Sequence, residues 1–381
     1  MTQPNSLRFS LIISFFILNL SPSFSQESKV EADIQAIMKK MEVVGLSVAV
    51  VKDSKIIYAH SFGLSNIENN TDLTNENIFR IASISKSFSA TSIMQLAEAK
   101  KLSLNDDISN LIGFKVRNPK YPQTVITLKM ILSHTSSIND SQGYFNLDAI
   151  NPAKGTDWVK CFNDYEPGKG YQYCNLNFNI AGTIIEKISG ERFDQYVKHH
   201  ILDPLKLYGG YCVDSLDNSR FTTLYEYDTL GRFTASPNAY APRREEISNY
   251  VMGYSTPIFS PTGGMKMSAI DLATYMTMHM NGGTLNGVKV ISKKSSKLMQ
   301  TPVSIEEGYG LALLTVNDLI SGKLMTGHTG SAYGLYSAMF FNPTEKFGIV
   351  VITNGCKPVF TKGIPDALRA SINSLYENLI K

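Results

Sequence analysis

Strand-like runs stand at both ends of this chain and are scarce in its middle. Leu46–Val51 and Ile56–Phe62 are rich in β-branched and aromatic residues, and Lys52-Asp53-Ser54-Lys55 between them is a hairpin signal. The same texture returns in Tyr309–Val316, Lys323–His328, Leu335–Phe341 and Phe347–Thr353. Helical spacing marks Val30–Met41, Leu128–Ser133, Asn175–Ser189, Phe193–Ile201, Ala269–Met280 and a closing Asp366–Leu379, with Thr127 and Ser268 as N-caps. Neighbouring strands tend to pair and connections do not thread one another. The arrangement that satisfies this is an antiparallel sheet made from both chain ends, flanked by helices, with a mainly helical lobe inserted. The expected class is therefore α/β (α+β). The sheet lobe would take roughly residues 27–80 and 305–381, and the helical lobe roughly 81–304. The stretch 202–265, rich in Tyr, Pro and Ser, reads as irregular.

The first residues carry a different signal. Arg8 precedes the apolar run Phe9–Leu20, and Ser-Pro-Ser-Phe-Ser-Gln follows it. A positive start, about a dozen apolar residues and a small-residue exit describe a secretory signal peptide over residues 1–25, cleaved near Ser25–Gln26. The run is shorter than the roughly 20 residues a bilayer span needs, although an uncleaved anchor is the alternative reading. The remaining 26–381 would be a periplasmic or secreted protein with no stable membrane span. Such a protein can carry disulfides, and Cys161, Cys174, Cys212 and Cys356 allow three full pairings. No CxxC or HExxH occurs, and His199–His200 point to different helix faces, so no metal and no cofactor is expected. A formal charge of +3 without a basic run gives no reason to expect nucleic acid as a partner. A charged share of 18% argues against disorder. The expected partner is a small-molecule or peptide substrate, with peptidoglycan a candidate.

Ser83-Ile84-Ser85-Lys86 is the chain's single SxxK, and it stands where an uncharged segment, Ser87–Ala97, begins. Residues three apart share a helix face, so hydroxyl and amine can meet. Serine needs a base before it is a useful nucleophile. A desolvated lysine can be that base, at a cost of roughly 4–5 kcal/mol to bring its pKa near 7. Composition alone would produce such a tetrapeptide by chance. Tyr173-Cys174-Asn175 is a YxN element in which a phenolate could act as base and an amide could orient a substrate carbonyl. Tyr144-Phe145-Asn146 and Tyr376-Glu377-Asn378 match it equally well; Glu166-Pro167-Gly168 before Tyr173 and the apolar helix after it set it apart. His328-Thr329-Gly330 follows a strand and suits a pocket wall, where Gly330 would let a substrate backbone come close; a Gly-rich turn is the plainer reading. Gly263-Gly264 reads as a tight turn, and His134 as a structural cap. No GxSxG elbow is present, which removes the ordinary α/β-hydrolase reading.

Taken in order, these segments resemble the serine β-lactamase and penicillin-binding-protein superfamily. The resemblance is nearest to class C β-lactamases, DD-carboxypeptidases of the HTG type and related esterases. Phe79–Phe88 is similar to that family's nucleophile segment. Leu128–Ile138 resembles its helix ending in HTSG, with Ser137 where Gly is usual. Pro167-Gly168 through Tyr173 and Asn175, then Gly182, Ile188-Ser189-Gly190 and Asp203-Pro204-Leu205, track its second-motif region, and Gly263-Gly264-Met265 and His328-Thr329-Gly330 complete it. The resemblance implies an acylated Ser83, proton transfer shared by Lys86 and Tyr173, and an acyl side chain positioned by Asn175. It also implies a pocket wall of His328 and Thr329, and an oxyanion hole from the N–H groups of Ser83 and Ser331. Cys174 stands where the family usually has Ser, and His328 where it often has Lys. An unperturbed histidine is mostly neutral near pH 7, so a fixed cation for a carboxylate is weaker. The expected activity is an exported serine hydrolase cleaving an amide or ester, such as a D-amino-acid peptide, a β-lactam or a small ester. An acyltransferase using the same acyl-enzyme and a non-catalytic peptide or peptidoglycan binder are the alternatives. If His328 binds an acidic group as a cation, KM should rise as pH passes about 6–7.

Overall fold

A computed structural model describes residues 24–381. The expected signal segment lies outside the described residues but for its last two, and the expected processing point falls in the first turn of helix α1, Phe24–Lys40. The sheet strands are β1 (Gly45–Lys52), β2 (Lys55–Asn66), β3 (Thr71–Asp72), β4 (Leu314–Ile320), β5 (Lys323–Ala332), β6 (Leu335–Asn342) and β7 (Phe347–Thr353). They form one antiparallel sheet in the order β4-β5-β6-β7-β1-β2-β3. The first strand of the chain pairs with the last of the sheet, Leu46 opposite Thr353 through Lys52 opposite Phe347. The sheet is thus drawn from both chain ends.

Strand β7 is buried along its whole length. Successive side chains alternate between faces, and both faces are covered. Ile349, Val351, Val48 and Phe340 meet Val30 and Ile34 of α1 and Leu368, Ile372 and Leu375 of the closing helix Asp366–Leu379. Val350, Ile352 and Met339 belong to the second core, with Leu272 and Met276 of the helix Ala269–Met280. That second core runs on into the helical region around Ser85–Glu98 and Asn175–Ser189, which pack on each other.

The helix Ser85–Glu98 is buried although it is full of hydroxyls. Ser87 Oγ donates to the Ile84 carbonyl at 2.8 Å, Thr91 Oγ1 to that of Ser87 at 2.8 Å, Ser92 Oγ to that of Phe88 at 2.9 Å, and Ser89 Oγ crosses to the Pro261 carbonyl at 2.9 Å. Each of these hydroxyls is satisfied, so its burial costs little.

Two expected elements differ from what is observed, and one helix was not expected. Tyr309–Val316 is not one strand: Ala312 takes φ +60°, and β4 begins only at Leu314. Phe193–Ile201 is α-helical to Val197 and continues as a π-helix over Lys198–Leu202. The helix Lys293–Gln300, capped by the Ser292 side chain, had no counterpart in the expected elements. The four cysteines are unpaired and buried, so no disulfide pairing is realised. Among the described residues no helix is long and apolar enough to cross a membrane, and no group of His, Cys, Asp and Glu is placed to hold a metal ion.

Candidate active site

The short strand Phe79–Arg80 leads into a single 3-10 turn, Ala82–Ile84, and then into the helix from Ser85. Ala82 takes φ +49°, a left-handed conformation that costs a non-glycine residue roughly 1–2 kcal/mol. This bend turns the chain immediately before Ser83, which lines a cleft of about 1030 Å³. Lys86 is fully buried one helical turn on, and its Nζ donates to Ser83 Oγ at 3.1 Å, Asn175 Oδ1 at 2.9 Å and the Thr262 carbonyl at 2.9 Å. Burial lowers its pKa to about 7, against the opposing pull of Asp140. The ammonium lies 4.8 Å from the centre of the Tyr173 ring, and the Tyr173 hydroxyl hydrogen-bonds with Ser83. Ser83, Lys86 and Tyr173 therefore meet at one point, as expected.

The family model described as "Beta-lactamase" matches residues 30–373 of this sequence. The chain belongs to the β-lactamase family. It is 23% identical to protein flp of Staphylococcus aureus (strain MW2), over 86% of this chain and 63% of that protein. It thus spans less than two thirds of that relative's length. It is 26% identical to penicillin-binding protein 4 of Amycolatopsis lactamdurans, over 89% of this chain and 88% of that one. The octameric penicillin-binding protein homologue from Pyrococcus abyssi superposes with a TM-score of 0.74 at 27% identity, covering 93% of this chain and 78% of that chain.

Within this β-lactamase-family site several expected roles change. Burial raises the Tyr173 pKa well above its usual 10, which favours the neutral phenol over the phenolate base considered for it. Asn175 lines the cleft, but most of its amide is used internally: Oδ1 accepts from Lys86 Nζ and from Thr262 Oγ1 at 2.8 Å, and Nδ2 donates to Asp140 Oδ2 at 3.0 Å. It anchors Lys86 first, with one amide hydrogen left for a substrate. Cys174 is turned away from Ser83 and donates its thiol to Asp140 Oδ1 at 3.2 Å. The unusual residue in the second motif is thus outside the hydroxyl–amine path.

His328 lines the cleft with Thr329 and Ser331. Its Nδ1–H reaches the Thr329 carbonyl at 2.5 Å, and its Nε2 accepts from the Tyr309 hydroxyl at 3.0 Å. Burial and the Lys86 charge bring its pKa down to about 3. This holds His328 in its neutral form near pH 7, as an unperturbed histidine mostly is, and argues against the conditional role as a cation and the rise in KM tied to it. Gly330 is also reassigned. It is absent from the cleft lining, and a Cβ there would lie 2.3 Å from the Ile81 carbonyl and 2.4 Å from Ser337 Oγ. The close approach it permits is that of β5 to the nucleophile turn, not that of a substrate.

Register accounts for Ser331. Tyr333 and Gly334, at φ +54° and +80°, close β5 on β6 as a two-residue type I′ turn, so Ala332 and Leu335 form the hydrogen-bonded pair. Hydrogen-bonded pairs alternate along an antiparallel ladder, so Ser331 and Thr329 direct their backbone groups away from β6. On that side β4 stops at Leu314, opposite Gly327. The edge beyond is open and faces the cleft that Thr329 and Ser331 line.

Sequence reasoning missed four supporting residues. Asp140 accepts from the N–H groups of Asn175 (2.8 Å) and Leu176 (2.9 Å) as well as from Cys174 and Asn175 side chains. Thr262 holds both Lys86 and Asn175. Tyr309 bridges to His328. His134, read as a cap, is buried with its ring 4.3 Å from that of Tyr173, and its Nδ1 accepts the Cys174 N–H at 3.1 Å. The available signals were adjacency to HTSS for Asp140 and to Gly263-Gly264 for Thr262. Ser137, where the family usually has Gly, takes φ +62°, which explains the usual glycine.

Proposed function

We propose that the chain is an exported serine hydrolase that cleaves an amide or ester through an acyl-enzyme on Ser83. The observation that carries this reading is the buried Lys86 amine, 3.1 Å from Ser83 Oγ with its pKa brought to about 7. Near neutrality a large fraction of that amine is uncharged and can accept the hydroxyl proton. Ser83 Oγ would then bond to the substrate carbonyl carbon as its proton passes to Lys86 Nζ. The carbonyl oxygen would become an oxyanion facing the N–H groups of Ser83 and Ser331. On collapse the bond to the leaving group breaks, and that group takes a proton from Lys86 by way of the Tyr173 hydroxyl. Water would repeat the sequence on the ester of Ser83 and release the acid.

The neutral His328 favours small esters and amides over β-lactams, because at that position it supplies no charge for the carboxylate that β-lactams and free peptide termini carry. Peptidoglycan fragments fit the same reading. The expectation of export rests on residues 1–25 alone. A fluorophosphonate probe should label the purified protein on Ser83, and Ser83→Ala should abolish both labelling and turnover of short-chain esters. Labelling that persists in Ser83→Ala rejects the acyl-enzyme.

A further inference from the structure

A second cavity, of about 460 Å³, adjoins the catalytic cleft, and Arg80, Phe145, Ser260 and Tyr333 line both. Its wall contains an unusual pair. Arg80 of the short strand Phe79–Arg80 lies directly opposite Lys266 of the short strand Lys266–Met267. Directly opposed residues share a sheet face, and like charges there repel. Lys266 is 4% exposed. Its Nζ donates to the Tyr211 carbonyl at 2.6 Å, and burial, with the Arg80 charge beside it, holds its pKa well below the usual lysine range. The Arg80 guanidinium donates to the Gly263 carbonyl at 3.0 Å and the Ala239 carbonyl at 3.3 Å, and lies 5.1 Å from the centre of the Tyr333 ring.

Neither side chain has a carboxylate partner among the described residues. The carboxylate that acts on Lys266 from within the fold, Asp194, is held by the fork of Arg192 at 2.6 and 2.9 Å and by Gln195 at 2.9 Å. No carboxylate is among the main influences on Arg80, which are burial, Tyr333, Tyr240, Tyr144 and Arg243. Arg243, also on the cavity wall, pairs with Glu246 at 2.6 Å. Buried charge is costly unless it is paired. An unpaired guanidinium beside a buried amine that lacks a counter-charge forms a site that an anion completes, because a bound anion favours the protonated amine.

We propose that this cavity is the subsite for a carboxylate carried by the substrate whose scissile carbonyl sits at Ser83. The shared wall lets one molecule occupy both cavities, and Arg80, with Lys266 protonated against the bound anion, replaces the charge that His328 lacks. This rests on Ser83 being the reacting residue, but it is tested apart from turnover. Ser83→Ala protein is titrated with N-benzyl monoamides of straight-chain dicarboxylic acids of graded length, each against its own methyl ester. At the fitting length the free carboxylate should bind at least about ten-fold more tightly than the ester. Adding Lys266→Met should bring the two affinities together, and Arg80→Met should do the same where it folds. Lys266→Met, which gives up one hydrogen bond, keeps the test decisive if Arg80→Met does not fold. Equal affinity for acid and ester at every length overturns the proposal, as does a preference that survives Lys266→Met. Tight binding of inorganic phosphate without any acid-over-ester preference assigns the cavity to a free anion and overturns the substrate subsite. Because none of these titrations needs acylation, a failure here is distinct from a failure to label Ser83.

Discussion

Lys86 is where the chemistry of the site is concentrated, and its setting makes two signed predictions. Below about pH 7 its amine holds a proton and has no lone pair for the Ser83 hydroxyl; above that it is a base. The ester kcat/KM should therefore rise about ten-fold per pH unit on the acid side and level off above an apparent pKa near 7. A profile flat from pH 5.5 to 8.5 would place the base elsewhere. Asp140 opposes the shift in Lys86, favouring the ammonium. Asp140→Asn should move the acid limb to lower pH. It should also lower kcat, because the hydrogen bonds from the Asn175 and Leu176 N–H groups to the carboxylate weaken. A limb that moves upward or stays fixed would contradict the electrostatic role. His328 should contribute no limb at all, and its ring resonances should not titrate between pH 5 and 8. At this scale the Ser83–Lys86 contact was legible because three-residue spacing on a helix fixes it. Asp140 and Thr262 were not, because they come from loops whose path is set by packing and not by any local period.

At the scale of elements, β5 is the piece that joins sheet and helical region. It packs on the Ala82–Ile84 turn, and Gly330 is the point of closest approach. Gly330→Ala puts a methyl 2.3 Å from the Ile81 carbonyl and 3.1 Å from Ala82 Cβ. Strand and turn must then separate, which should cost about 1–3 kcal/mol of stability. The proposed oxyanion donors, the N–H groups of Ser83 and Ser331, move apart with them, so kcat should fall at least about ten-fold while KM changes less. Urea unfolding and ester kinetics on the variant would check both; unchanged kcat would mean that strand spacing does not set the donors. Elements with unbroken periodicity were read to the residue, as in Asn175–Ser189, Ala269–Met280, Phe347–Thr353 and Asp366–Leu379. The failures have physical causes. Tyr309–Leu313 is apolar because it is buried beside the site, and a left-handed Ala312 breaks its extension. Lys293–Gln300 buries too narrow an apolar stripe to stand out in so polar a segment.

For the whole molecule, the sheet from both chain ends was visible in the distribution of strand signals, but the role of the cysteines was not. Burial pushes Cys161 up to about 11 and Cys356 up to about 12, and holds Cys174 well above its usual range. Reaction requires the thiolate, so an exported form would carry these as protected thiols. A disulfide-specific reductant should leave Tm unchanged. A thiol reagent should count four reactive groups in the unfolded chain and none in the native one at early times; a fall in Tm on reduction would mean that pairs form. The chain ends also close on each other outside the sheet. Asn378 donates to Asp33 at 3.0 Å, and Lys52 to the Ile380 carbonyl at 3.1 Å. Beneath these contacts Ile372, fully buried, seals α1 and the closing helix onto β6 and β7. Ile372→Ala should cost about 2–5 kcal/mol, since the cavity it leaves is walled by two helices and a sheet that cannot all relax. It lies on the face opposite the helical region, so ester kcat/KM measured well below Tm should stay within about two-fold of the parent. A stability loss with kinetics preserved would separate the scaffold from the site it carries; a parallel loss of kcat would show that the far face of the sheet also sets the position of β5.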